Sequence, residues 1–156
     1  MTPAVQLLQQ LKIRFELLEY EHDATASSYG DEAAAKLGLD ANIVFKTLVV
    51  QLESGLLAVA IVPVNTTLSV KSVAEALGVK KAVMADPSKV QRSSGYVLGG
   101  VSPLGQKRLL PTLLDSSAKQ FDVINVSAGR RGLEIQLAPT DLLALTKGRY
   151  ADIAVR

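Results

Sequence analysis

The chain has 156 residues, 48% of them hydrophobic, and carries 17 Lys and Arg against 15 Asp and Glu for a net charge of +2. That length and apolar content predict one domain, 1–156, with a substantial core, and no apolar run approaches the ~20 residues a membrane span needs. There is no Cys and only one His, His22, which excludes disulfides, thiolate metal sites and a cysteine nucleophile, and leaves any zinc site or Ser-His-Asp triad a single imidazole.

The opening MTPAVQLLQQLKIRF has neither the basic lead nor the apolar centre of a signal peptide, and reads as the first helix of a cytoplasmic protein. Thr2 caps it, Pro3 takes the first helical position, and Ala4, Leu7, Leu8 and Leu11 mark its apolar stripe. From Ile13 the period drops to two, predicting a strand that ends in Tyr20-Glu21-His22-Asp23. Residues 24–30 read as loop and 31–37 as a short helix stopped by Gly38. NIVFKTLVVQL, 42–52, is the strongest strand signal, and Gly55 turns it into a hairpin partner over 57–64. Ser69 caps a helix through Leu77, closed by Gly78, and 80–84 is short and extended. Asp86-Pro87 starts a brief helix ending near Gly95. A strand is expected over 96–101, then a loop to 111. Strands over 112–115 and 123–126, a turn at 129–132 and a strand over 133–137 follow, and Pro139-Thr140-Asp141 opens a last helix to about Thr146. The hairpins predict a mixed α/β fold, a curved mixed β-sheet or small barrel flanked by helices, rather than a doubly wound sheet.

Four constellations carry chemistry. Lys46 shares a strand face with Val44, Leu48 and Val50, where a charge is costly unless it snorkels from the strand end or reaches a polar cavity as a fixed cation. Tyr20 and His22 stand at a strand end, where the scaffold fixes a side chain and the loop exposes it. Tyr20 is placed to stack or hydrogen-bond, whereas His22, with no partner evident, reads as structural or solvated. GYVLGGVSPLGQKRLLP, 95–111, puts Gly99, Gly100 and Ser102 in a rigid turn, either a bulge or a wall of backbone donors that a carbonyl oxygen can approach. It is not a nucleotide-phosphate cradle, since neither G-x-G-x-x-G nor a Walker lysine is present. Ser127-Ala128-Gly129-Arg130-Arg131-Gly132 is a hairpin tip with two arginines, solvated or facing a ribose or phosphate. Charge is divided unevenly: residues 1–70 carry four bases against eight acids, and 71–156 thirteen against seven. That asymmetry permits a polyanionic partner on one face without requiring one.

VFKTLVV (44–50), ADPSKVQRSSGYVLGGVSPLGQKRLLP (85–111) and VSAGRRGLEIQLAP (126–139) together resemble the YbaK/EbsC family of free-standing aminoacyl-tRNA deacylases, relatives of the editing insertion of bacterial prolyl-tRNA synthetase. The resemblance runs from TPAVQLL and YEHD to the final helix. It implies a mixed α/β barrel-like fold, no metal or cofactor, and hydrolysis of cysteine mischarged onto proline tRNA, Cys-tRNA(Pro), with Cys-tRNA(Cys) a further substrate. It also implies that the substrate thiol attacks its own ester, forming a cyclic thiolactone, so that the enzyme supplies no nucleophile. By position, Lys46 would hold the 3′-terminal adenosine and its phosphate, Tyr20 would pack on that end, and Gly99 would offer its backbone, with Gly100 and Ser102 on the same wall. Tyr29, Thr47 and Ser127 would line the pocket and Glu134 would be its acidic member. Tyr29 stands where relatives have Phe, Ala128 where Gly is expected, and Glu134 where Asp is expected. Thr47 departs from some free-standing alanine-editing relatives, which place Asn after the lysine. The expected partner is the acceptor end of an aminoacyl-tRNA, with prolyl-tRNA synthetase as a second. The alternatives are a deacylase for another small amino acid such as alanine, or a tRNA- or synthetase-binding module without catalysis.

Overall fold

A computed structural model describes residues 1–26 and 28–156. Ser27, inside the expected 24–30 loop, lies outside the described residues.

The chain runs α1 (Pro3–Gln10), β1 (Glu16–Glu19), α2 (Tyr29–Leu37), β2 (Phe45–Leu52), β3 (Leu57–Pro63), β4 (Thr67–Leu68), α3 (Val70–Ala76), β5 (Ala82–Met84) and α4 (Pro87–Ser94). It continues through β6 (Thr112–Asp115), β7 (Ile124–Ser127), β8 (Leu133–Leu137), α5 (Pro139–Thr146), β9 (Arg149–Ala151) and β10 (Ala154–Val155). Local chemistry sets most helix ends. The hydroxyl of Thr2 accepts from the Val5 amide, that of Ser69 from the Ser72 amide at 3.1 Å, and the Asp86 carboxylate from the Ser88 amide at 2.9 Å. Gly38 and Gly95 close α2 and α4 in the left-handed conformation, φ +67° and +84°.

A five-stranded sheet has the order β5-β2-β3-β6-β9, with β2 antiparallel to β3 and β5, and β3–β6 and β6–β9 parallel. A three-stranded antiparallel sheet has the order β1-β8-β7, and β4 pairs with β10. A parallel bridge between Val44 and Asn125 joins the two larger sheets. Asn125 is fully buried there, its amide donating to the Ile43 carbonyl at 3.1 Å and accepting from Gln136 at 3.1 Å, so the junction leaves no polar atom of that side chain orphaned.

The β2–β3 hairpin is covered on both faces. Phe45, Val49, Val59 and Ile61 face the main core with Leu8 of α1 and Ile124, Ile135 and Leu137 of the smaller sheet. Val50, Ala58, Ala60 and Val62 face a second cluster under Val73 of α3. Double coverage explains why β3 reads LAVAIVP, a nearly continuous apolar run rather than an alternation. Asp115, 3% exposed, pins the C-terminal segment: one carboxylate oxygen accepts from the amides of Ile153 and Ala154 at 3.1 and 3.0 Å.

Several elements differ from the sequence expectation. Residues 96–101 form no strand. The Gly100 amide donates back to the Val97 carbonyl, Gly99 takes φ +86°, and Val97 and Leu98 are exposed, so no ladder partner is met. The loop is instead held by Tyr96, 4% exposed, whose hydroxyl donates to the Leu104 carbonyl at 2.6 Å. Residues 13–15 precede β1 in irregular conformation, and 41–43 form a single 3₁₀ turn before β2. On α1 the buried residues are Ala4, Val5 and Leu8, whereas Leu11 is exposed past the helix end. Among the described residues no helix is long and apolar enough to cross a membrane.

Candidate active site

One cavity of about 350 Å³ opens where five parts of the chain converge. Tyr20 comes from the end of β1, Tyr29 from the first turn of α2, and Lys46, Thr47 and Leu48 from β2. Leu98, Gly99 and Val101 come from the loop after α4, and Ser127, Arg130 and Glu134 from the β7–β8 hairpin.

Lys46 enters at the first residues of β2. Its Nζ donates to the Thr66 carbonyl at 2.7 Å, and among the described residues no carboxylate lies within ion-pair distance. An ammonium has three donors, so two remain for a ligand. Thr47 presents a buried hydroxyl with no partner among the described residues, a group that a bound polar atom would satisfy. The Ser127 hydroxyl accepts from the Gly129 amide at 3.2 Å.

Glu134 lies on β8, the central strand of its sheet, opposite Leu18 on one side and Ser127 on the other. A central strand cannot turn aside to reach water. The residue is 6% exposed, and no basic group pairs with it among the described residues. Burial pushes its carboxyl up to about 8, so at neutral pH it is mostly a neutral acid that can donate a hydrogen bond. Burial also raises the Tyr20 phenol, against a hydrogen bond at the Gly132 backbone; in the alkaline range where a phenol titrates, Glu134 is ionised and its charge and that of Glu32 add to the rise.

The Gly99 wall is shaped by close approach. A Cβ at Gly99 would fall 2.5 Å from the Tyr29 ring and 2.7 Å from Nε of Arg131. Arg131 lies over the Tyr29 ring, 4.1 Å from its centroid, and donates to the Leu98 carbonyl at 2.9 Å. One guanidinium thus ties the β7–β8 turn to α2 and to the loop carrying Gly99.

The cavity gathers Lys46, Tyr20, Gly99, Tyr29, Thr47, Ser127 and Glu134. Gly100 and Ser102 are not on its lining. Gly100 is buried against the Arg130 backbone, where a Cβ would sit 2.9 Å from Arg130 Cα, and its amide is already used by Val97. Ser102 is fully buried, its hydroxyl accepting from the Leu104 amide at 3.3 Å. Ala128 is also fully buried, in the main core. His22 stands outside the lining, with a partner the sequence did not reveal: its Nδ1 lies 2.7 Å from Oε1 of Glu32. The other Glu32 oxygen accepts from the Asp23 amide at 2.7 Å and lies 3.4 Å from Lys36. Burial works against the Glu32 charge, but the bonds from His22, the Asp23 amide and Lys36 outweigh it and hold the carboxyl below its ordinary range. The i,i+4 spacing of Glu32 and Lys36 was the available signal. Among the described residues no three His, Asp or Glu are grouped to hold a metal ion.

The fold matches solved structures over its whole length. A hypothetical protein of 23% identity superposes with a TM-score of 0.87, covering 99% of this chain and 100% of that one. A structure described as a candidate trans-editing enzyme for prolyl-tRNA synthetase, 24% identical, gives 0.83 over 100% of this chain and 99% of that one. The fold is therefore the one these structures share. Residues 23–145 match the profile of the aminoacyl-tRNA editing domain, and the chain belongs to that family. A protein of Enterococcus faecalis that carries the provisional name Cys-tRNA(Pro)/Cys-tRNA(Cys) deacylase EbsC is 37% identical over 99% of this chain and 94% of its own length. YwhH of Bacillus subtilis, named without a function, is 26% identical over 86% of this chain and 88% of its own. By class the protein is an aminoacyl-tRNA deacylase, and its substrate is a charged tRNA.

Proposed function

We propose that the protein clears cysteine mischarged onto proline tRNA, and Cys-tRNA(Cys) as well, by letting the substrate thiol cleave its own ester. The observation that carries this reading is the cavity's lack of an activated nucleophile. Its hydroxyls belong to Tyr20, Ser28, Tyr29, Thr47 and Ser127, none of them hydrogen-bonded to an imidazole or carboxylate among the described residues, while the only His is engaged with Glu32. An enzyme that supplies no nucleophile of its own can use one that its substrate brings, and cysteine brings a thiol.

The step balances without an added reagent. The cysteinyl sulfur, as thiolate, forms a bond to the ester carbonyl carbon. The bond from that carbon to the ribose oxygen breaks, and the oxygen leaves with a proton, giving a thiolactone and uncharged tRNA. A free thiol titrates near ~8.5, so a few per cent is thiolate at neutral pH, and serine or alanine offers nothing comparable. The protein contributes orientation: a folded-back conformer held in place reaches effective molarities on the order of 10⁵ M or more. Lys46 anchors the 3′-terminal adenosine and its phosphate with its two free donors, and Tyr20 packs beside it. Thr47, Ser127 and Tyr29 bound the amino-acid pocket. Gly99 presents its backbone to the ester, and Glu134, neutral, donates a hydrogen bond to the developing oxyanion or the leaving oxygen. The reaction belongs to the cytoplasm. The protein is a single domain that covers only the acceptor end, and prolyl-tRNA synthetase supplies tRNA identity.

The test is a panel of Cys-, Ala-, Ser- and Pro-charged tRNA(Pro) with the protein alone, plus S-methylcysteinyl-tRNA(Pro). Rapid loss of the cysteinyl ester alone is expected, with thiolactone as first product. Undiminished cleavage of the S-methyl ester, or faster loss of alanine, overturns the reading.

A further inference from the structure

A second groove, of about 370 Å³, lies away from the cavity between the β2–β3 turn and α4. Lys89 and Arg92 of α4 and Arg108 of the following loop line it, with no carboxylate on its walls. None of the three is in an ion pair among the described residues. Lys89 donates to the Gln51 amide oxygen at 3.1 Å, which ties it to β2, and the Arg108 backbone amide donates to the Ser93 carbonyl at 3.2 Å, which ties that loop to α4. Asp86 at the α4 N-cap, whose charge Lys89 and Arg92 favour, is occupied by the Ser88 amide and hydroxyl. Ser93 lines the same groove, is 7% exposed, and has a buried hydroxyl with no partner among the described residues. A buried unpaired hydroxyl carries a desolvation cost that a bound acceptor removes. Three unpaired cations around it select an acceptor that is anionic and has several oxygens, which a phosphate satisfies.

We propose that this groove takes a backbone phosphate of the tRNA whose 3′ end occupies the cavity; the assignment rests on the deacylase reading only for the identity of that RNA. The chain itself limits the separation: Ser93 of the groove and Gly99 of the cavity wall are six residues apart, at most about 20 Å even if extended. One polynucleotide engages both. The uneven charge of the sequence thus acquires a location, and phosphate contacts there add affinity and orientation without reading bases. A free phosphate ion offers the same chemistry, and the experiment separates the two sources.

Binding of an uncharged acceptor-stem hairpin ending in CCA is measured by fluorescence anisotropy between 50 and 200 mM salt (about the range in which phosphate contacts are read) for the wild type and for Arg92→Gln/Arg108→Gln. Both side chains are exposed, so the variant keeps its Tm. The expected result is at least about tenfold weaker binding, a salt slope lower by about 2, and unchanged turnover of a cysteinyl ester of adenosine alone. Ser93→Ala is expected to weaken hairpin binding severalfold without lowering Tm. Hairpin affinity within about twofold of the wild type overturns the proposal. So does a variant that loses inorganic phosphate binding while holding the hairpin as before, or one that loses the short ester equally. Because the hairpin is uncharged, this arm reads the groove even if the panel of charged tRNAs refutes the cysteine reading.

Discussion

Glu134→Gln tests how the cavity holds a carboxyl. Burial disfavours the charge and pushes the wild-type carboxyl from its ordinary value of 4.5 up to about 8 in the folded protein. Between those values the folded state keeps a proton that the unfolded chain has released. Stability contributed by the neutral acid is therefore full below about pH 4.5 and is lost as pH rises through about 8. From pH 5 to pH 7 the loss amounts to roughly 2–3 kcal/mol, at up to ~1.36 kcal/mol per pH unit. Glutamine keeps the volume and a hydrogen-bond donor and removes the titration. Urea unfolding of both proteins at pH 5, 6, 7 and 8 gives the difference directly, and the variant should gain on the wild type by that amount between pH 5 and 7 and by more at pH 8. Parallel stability curves, with a difference constant to within ~0.5 kcal/mol, would show that Glu134 is ionised in the fold and refute the neutral-acid account.

Four further outcomes are expected. Lys46→Ala should lower kcat/KM by at least about a hundredfold with little change in Tm, since the side chain makes one hydrogen bond to the protein, at Thr66; near-normal turnover removes the cation from the site. Gly99→Ala places a Cβ in the Tyr29 ring at a left-handed backbone position, φ +86°, so a loss of about 1–3 kcal/mol by thermal unfolding should accompany lost turnover, and an unaffected protein would mean the wall is looser than it is drawn. Glu32→Gln breaks the link from α2 to His22, the Asp23 amide and Lys36. Because those contacts lower the Glu32 carboxyl, their stabilisation is present above its ordinary range and is lost as pH falls through the folded value, so the Tm deficit of the variant should shrink in acid; a deficit that persists at the lowest pH contradicts the network. Tyr20→Ala should reduce turnover more than His22→Ala, and an equally severe loss at His22 would restore a general-base role.

Helix boundaries and the main hairpin were legible because their causes are local. Thr2, Ser69 and Asp86 cap through amides two or three residues away, and Gly38 and Gly95 end helices by their own backbone freedom. Lys46 stood out as a charge among Val44, Leu48 and Val50, and the cavity lies at that strand end. The run Tyr96–Val101 misled, because β-branched and aromatic residues suit a strand only where a neighbour offers a ladder, and here Val97 and Leu98 face solvent. β9 and β10 escaped notice since each is three residues or fewer, and β9 pairs in parallel with β6, more than thirty residues earlier.

What the residues alone determined was the inventory: one imidazole, no thiol, a cation on an apolar strand, and glycines where the chain must turn or approach closely. Only the tertiary structure decided what each group is. Packing β8 between β1 and β7 makes Glu134 an acid rather than a carboxylate, docking α2 on the loop after β1 gives His22 a partner in Glu32, and the loop's path leaves Gly99 on the cavity while burying Gly100 and Ser102. Charge state and exposure depend on everything within a few ångströms, and those neighbours come from distant parts of the chain.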